Sequence, residues 1–127
     1  MNILFVDDSH TRNDFFCKKK HQYRGQAIKC VSDHFYITHA YTAQQAISEL
    51  PVSPYDLVFL DHDLSKDPMN MGPVVVEYLV RKKHEFITQN HIGKIIIQSW
   101  NNAGARCMEV ALVYAGYDVE ISRFPVA

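Results

Sequence analysis

Cysteine is scarce in this chain. The three present, Cys17, Cys30 and Cys107, are odd in number, widely spaced and without a C-x-x-C pair. That argues against a disulfide framework or a zinc knuckle and fits reduced, mostly buried thiols in a cytosolic protein. An excess of either charge is also missing, with 13 basic and 14 acidic residues. No whole-molecule field therefore draws the protein onto duplex DNA or anionic lipid, and any nucleic-acid contact must be local. No apolar stretch approaches the roughly 18 residues of a membrane span, and the N-terminal apolar run is cut by Asp7-Asp8 before a signal-peptide core could form. Repeats, low-complexity segments and linkers are absent as well. With 127 residues and 47% hydrophobic content, the expectation is one cytoplasmic domain spanning residues 1–127, with no membrane and no duplex DNA among its partners.

What is present is a pair of abrupt changes in polarity. Leu57-Val-Phe-Leu60 runs into Asp61-His62-Asp63, and Ile3-Leu-Phe-Val6 runs into Asp7-Asp8-Ser9-His10. A short, uninterrupted apolar run reads as a strand buried on both faces, as in parallel sheets covered by helices. Two such strands each deliver carboxylates and a histidine to a strand end, and in open α/β sheets the carboxyl ends of strands are where ligands bind.

The rest of the chain repeats this alternation. Ser9 is placed to cap a helix carrying Phe15, Phe16, Lys19 and Lys20, and a strand is predicted near Phe35 to Ala40. Thr42 then caps a helix whose apolar face is Ala43, Ala46, Ile47 and Leu50, closed by Pro51 and Pro54. After the strand at Asp56 to Leu60, Pro73 opens a helix with Val74, Val75, Tyr78 and Leu79. Lys94 to Gln98 reads as a strand ending on Ser99-Trp100-Asn101-Asn102, followed by a helix with Met108, Ala111, Leu112 and Ala115 that Gly116 stops, and by a last strand at Asp118 to Ser122. The order β-α-β-α-β-α-β-α-β makes this an α/β fold, a doubly wound parallel sheet of five strands with helices on both faces.

Over nearly its full length the chain resembles a response-regulator receiver domain. Asp7-Asp8 resembles the receiver's acidic pair, Asp61 its phosphoacceptor, Ser99 its hydroxyl after strand four, and Pro68 with Gly72 its following loop. The resemblance implies strand order 2-1-3-4-5. Three departures stand out. Arg123 occupies the end of strand five where receivers carry lysine, and a planar fork is not equivalent to a point charge at a phosphate. The sequence ends at Ala127, so the last receiver helix is expected to be missing. Asp61 is followed by His62-Asp63. Asp61-His-Asp-Leu64 and Ser99-Trp-Asn101, with Gly104-Ala105 and Met108, resemble a specialised family, the cyclic-phosphate processing receiver domains. That resemblance implies action on cyclic phosphates of RNA ends or nucleotides. In that family a histidine often precedes the serine of the second motif, where this chain has Gln98.

Chemically, Asp7, Asp8 and Asp61 form a carboxylate set suited to Mg²⁺ or Mn²⁺. Asp61, His62 and Asp63 are the catalytic candidates: Asp61 to activate water and His62 to supply a proton. Ser99, Trp100, Asn101, Arg123 and His10 are candidates for holding phosphate or nucleoside. The ordinary alternatives are that Trp100 is core, that Asn101 or Asn102 caps a helix, and that His10 merely begins one. The basic runs Lys18-Lys-Lys20 and Arg81-Lys-Lys-His84 read as solvated helix faces. The expected function is hydrolysis of a cyclic phosphate on an RNA end or small nucleotide. Two alternatives stay open, a protein that sequesters a nucleotide signal without cleaving it and a stand-alone receiver phosphorylated on Asp61. A homodimer is compatible with either.

Overall fold

The computed structural model describes residues 1–6, 28–32, 35–61, 72–98 and 102–122. Their elements are β1 (Asn2–Val6), β2 (Ile28–Ser32), β3 (Phe35–Ala40), α1 (Ala43–Glu49), β4 (Tyr55–Asp61), α2 (Gly72–Arg81), α3 (Lys83–Thr88), β5 (Ile92–Gln98), α4 (Asn102–Ala115) and β6 (Val119–Ser122). The sheet runs β2-β3-β1-β4-β5-β6. Its five strands β3-β1-β4-β5-β6 are mutually parallel, which is the expected 2-1-3-4-5 arrangement. One strand is additional. β2 pairs antiparallel with β3 from Ile28 opposite His39 to Ser32 opposite Phe35, so the sheet has six strands in all. Ile28-Lys-Cys-Val-Ser32 is too irregular in its alternation to announce a strand, and it forms at the sheet edge against its neighbour in sequence. The predicted helix after Ser9 lies outside the described residues, as do residues 123–127.

Because strand residues alternate between faces, each central strand feeds two cores. Leu4 and Val6 of β1, Val58 and Leu60 of β4, and Ile95 and Ile97 of β5 share one core with Ala43, Ala46 and Leu50 of α1, Val75 and Leu79 of α2, and Ala105, Met108 and Leu112 of α4. On the other face Ile3, Phe5, Ile37 and Phe59 form a smaller cluster, with Leu57 and Ile96 packed against it. Each fully buried Val, Leu, Ile, Phe or Met side chain among these stabilises the fold by roughly 1.5–3 kcal/mol. Among the described residues every helix contributes to the first core and none to the second.

Helix ends follow from local chemistry. The Thr42 hydroxyl accepts from the Gln45 amide at 3.1 Å, while the Gln45 side chain accepts from the Tyr41 amide at 2.9 Å, a reciprocal closure of the α1 N-terminus. α4 ends as expected at Gly116, whose φ is 110°. There the Gly116 amide donates to Val113 and the Tyr117 amide to Leu112, which satisfies two orphan carbonyls. α3 ends in the same way around Asn90 at φ 50°, with the Asn90 amide donating to Ile87 and the His91 amide to Phe86. The His91 ring then stacks on Phe86 at 5.0 Å and Nε2 donates to the Leu50 carbonyl at 2.7 Å. This ties the ends of α1 and α3 to the start of β5.

Candidate functional site

The carboxyl ends of the parallel strands lie along one edge of the sheet, at Val6, Ala40, Asp61, Gln98 and Ser122. β1 stops with Val6 opposite Leu60, one residue short of Asp61. β4, β5 and β6 continue together, pairing Asp61 with Gln98 and Gln98 with Ser122. Register partners in a parallel sheet project to the same face, so these three residues form one polar row across three adjacent strands, each step about 4.8 Å. The preceding residues, Leu60, Ile97 and Ile121, also in register, face the helix-covered core instead.

Beneath the polar row lies a largely apolar one. His39, Phe5, Phe59 and Ile96 follow one another across β3, β1, β4 and β5. Phe5 meets His39 edge-on at 5.2 Å and Phe59 at 5.7 Å, and His39 stacks on Tyr41 at 3.9 Å. His39 is buried and belongs to this aromatic floor. Asp61 is 5% exposed and Gln98 4%. A carboxylate and a carboxamide thus stand side by side above aromatic rings, where a low local dielectric strengthens any polar contact they make.

Of the expected site residues, Asp61 is described, and it sits at the terminus of a central, buried strand as predicted. Asp7, Asp8, His10, His62, Asp63, Ser99, Trp100, Asn101 and Arg123 lie outside the described residues. Among the described residues no group of three or more His, Cys, Asp or Glu side chains is arranged to hold a metal ion. What Asp61 and Gln98 offer is oxygen, the donor type that hard divalent cations prefer.

Ser122 and the pairing of Gln98 with Asp61 were not expected from the sequence. The signal was there in the phase of the apolar runs: Phe59-x-Asp61 and Ile96-x-Gln98 place a polar residue two positions after an apolar one on the same face, and both runs stop at that point. Which residue stands beside which is a property of two strands, and one strand's pattern does not state it.

Comparison with known proteins agrees with this architecture. The Burkholderia pseudomallei response regulator whose crystal structure contains a phosphorylated aspartic acid, a calcium ion and citrate is similar, with TM-score 0.61 and 14% identity over 99% of this chain, which spans 61% of that one. The Francisella response regulator 1452 receiver domain gives 0.58 and 16% identity over 99% of this chain and 85% of that one. The receiver domain of NtrX from Brucella abortus gives 0.56 and 18% over 97% and 85%. At these identities the likeness is one of fold. No curated protein matches. Residues 2–113 match the family described as the cyclic-phosphate processing Receiver domain, and with most of its length covered the chain belongs to that family.

Proposed function

We propose that this protein hydrolyses a cyclic phosphate, on an RNA end or a small nucleotide, at the carboxyl end of β4. The observation that carries this reading is the burial of Asp61 at that strand terminus, in a chain whose family is the cyclic-phosphate processing receivers. A carboxylate held there, beside the neutral carboxamide of Gln98, can accept a proton from water.

In the proposed reaction water attacks phosphorus, one bond between phosphorus and a sugar oxygen breaks, and the cyclic diester becomes a monoester. Asp61 takes the proton from the attacking water, and His62 gives one to the departing sugar oxygen, with Asp63 assisting. Ser99 and Arg123 hold the phosphoryl oxygens and His10 adds a donor to them, while Trp100 and Asn101 hold the nucleoside by stacking and hydrogen bonding. Asp7 and Asp8 with Asp61 are the residues we assign to hold Mg²⁺ or Mn²⁺. Such an ion, when bound, lowers the pKa of water and neutralises phosphoryl charge.

Phosphorus NMR of a 2′,3′-cyclic-phosphate oligoribonucleotide and of cyclic nucleotides, incubated with the protein and Mg²⁺ or Mn²⁺, tests this directly. The cyclic resonance is expected to convert to a monoester, with conversion lost in Asp61→Asn and in His62→Ala while both variants stay folded. Unchanged turnover in both variants would sink the assignment.

Two other readings have a specific observation behind them. Gln98, a group that does not titrate, flanks Asp61 and favours sequestration of a nucleotide signal. Recovery of intact ligand from a complex distinguishes that from cleavage. The likeness in fold to a response regulator with a phosphorylated aspartic acid favours a receiver phosphorylated on Asp61. A phosphoryl mass added by a small phosphodonor and Mg²⁺ identifies that case.

A further inference from the structure

We infer that the outer face of α4 is a homodimer interface, on which α4 of a second copy packs antiparallel about a two-fold axis that passes between Cys107 and Val110. This surface is independent of the reaction assigned to Asp61.

α4 is apolar on both sides. Its inner side places Ala105, Met108 and Leu112 in the large core. Its outer side exposes Ala103, Cys107, Val110, Val113 and Tyr114, and Tyr114 is 90% accessible to solvent. The other helices expose polar groups: Gln44 and Ser48 on α1, Glu77 and Arg81 on α2, His84 and Glu85 on α3. α4 carries only two charged residues, Arg106 and Glu109, and these pair with each other at 3.9 Å. The exposed Ile87 side chain of α3 lies against Gly116, just past the helix, and extends the apolar strip at that end. A helix that lacks a polar side belongs inside an assembly, and a contiguous exposed apolar strip marks a contact surface.

The spacing of the strip selects a second copy as the occupant. Ala103, Cys107, Val110 and Tyr114 recur at intervals of four, three and four residues, the seam on which two helices interlock. That seam reads the same in both directions. An antiparallel copy sets Ala103 opposite Tyr114 and Cys107 opposite Val110, so small side chains meet larger ones and each contact occurs twice, as a closed two-fold pair requires. A parallel copy would instead set Tyr114 on Tyr114 and Arg106 on Arg106. Charge agrees with the antiparallel choice. Arg106 flanks the seam, and the two-fold brings Glu109 of the second copy onto the same flank, about 3 Å away along the helix axis at a rise of about 1.5 Å per residue. Each guanidinium then stands between two carboxylates, one from each copy. With a formal net charge of −1, whole molecules do not repel one another strongly. A strip roughly 21 Å long and 10 Å wide falls well below the roughly 800 Å² per partner of a standard interface, so the pair is weak and concentration-dependent. Because α4 begins at the edge where the parallel strands end, the two copies present their polar rows at opposite ends of the pair.

Sedimentation equilibrium of the full chain from about 10 μM to about 1 mM tests this, with the melting temperature of each variant at the low concentration as a check on its fold. The mass of the wild type is expected to rise from one chain toward two over that range. Val110→Glu and Tyr114→Glu are expected to stay single chains throughout and to melt close to the wild type, since both positions are exposed. Arg106→Glu is expected to weaken association by about tenfold or more, and adding Glu109→Arg to it is expected to restore association, because the pattern of opposite charges across the two-fold returns. A wild type that keeps the mass of one chain at the highest concentration overturns the inference, and so does a dimer that Val110→Glu and Tyr114→Glu leave intact. Association lost in Arg106→Glu and not restored by the charge exchange overturns the antiparallel pairing.

Discussion

At the scale of single residues, the start of β5 shows how little room the sheet leaves. A Cβ at Gly93 would collide with the Asp56 carbonyl of β4, a backbone atom that cannot step aside as a side-chain tip could. Gly93→Ala must therefore push β5 away from β4 where Tyr55 pairs with Ile92 and Leu57 with Lys94. Overpacking of this kind costs about 1–3 kcal/mol. Urea denaturation of Gly93→Ala is expected to show a midpoint lowered accordingly with an unchanged slope, and a midpoint equal to wild type would show that the strands separate freely. Asp61 was legible in the sequence because an apolar run stops on it, and desolvation makes such a stop conspicuous. Gln98 and Ser122 were legible only as strand ends, since their neighbourhood to Asp61 is created by register.

At the scale of elements, the five parallel strands and three of the four described helices were readable, whereas α3 was not announced as a helix of its own. Ala43, Ala46 and Leu50 fall on the buried face that their spacing predicted, and Gly116 ends α4 where a left-handed residue was expected. β2 was not readable, because an edge strand has a ladder partner on one side only and needs little apolar patterning to form. One contact between elements joins two helix ends. The Tyr117 hydroxyl, just past α4, donates to the Leu79 carbonyl at 2.6 Å, one of the last-turn carbonyls of α2. Burial pushes the Tyr117 phenol up to about 12, with the charge of Tyr78 adding to the effect. The folded form therefore holds its proton more tightly than the unfolded chain, whose tyrosines ionise near 10. The stability this contributes is complete below about pH 10 and is lost as pH rises toward about 12. Tyr117→Phe is expected to be less stable than wild type by about 1–2 kcal/mol at neutral pH. Its stability should then fall less steeply than that of wild type above pH 10, so that the two curves converge. Parallel curves throughout that window would mean that Tyr117 does not titrate with folding.

At the scale of the whole molecule, the sheet separates two kinds of work. Among the described residues, one face carries the large core with the helices, and the other carries an aromatic floor that ends in the polar row Asp61, Gln98 and Ser122. A ligand that binds only the folded form at that row stabilises the entire cooperative unit, because Asp61 ends a strand flanked by β1 and β5 near the middle of the sheet. If Asp61 helps to hold a divalent cation, melting temperature becomes a function of metal concentration. At 100 times the dissociation constant the gain is about 2.7 kcal/mol. For a chain of this size that corresponds to a rise of about 10 °C. The wild type is expected to show that rise on titration with Mn²⁺ and to lose it when EDTA is added. Asp61→Asn keeps the shape of the side chain and removes its charge, so its melting temperature should stay flat over the same titration. A rise of equal size in Asp61→Asn would move the cation away from β4. A flat curve in both proteins would remove the metal from the proposed chemistry and leave Asp61 to act on water or phosphate unaided.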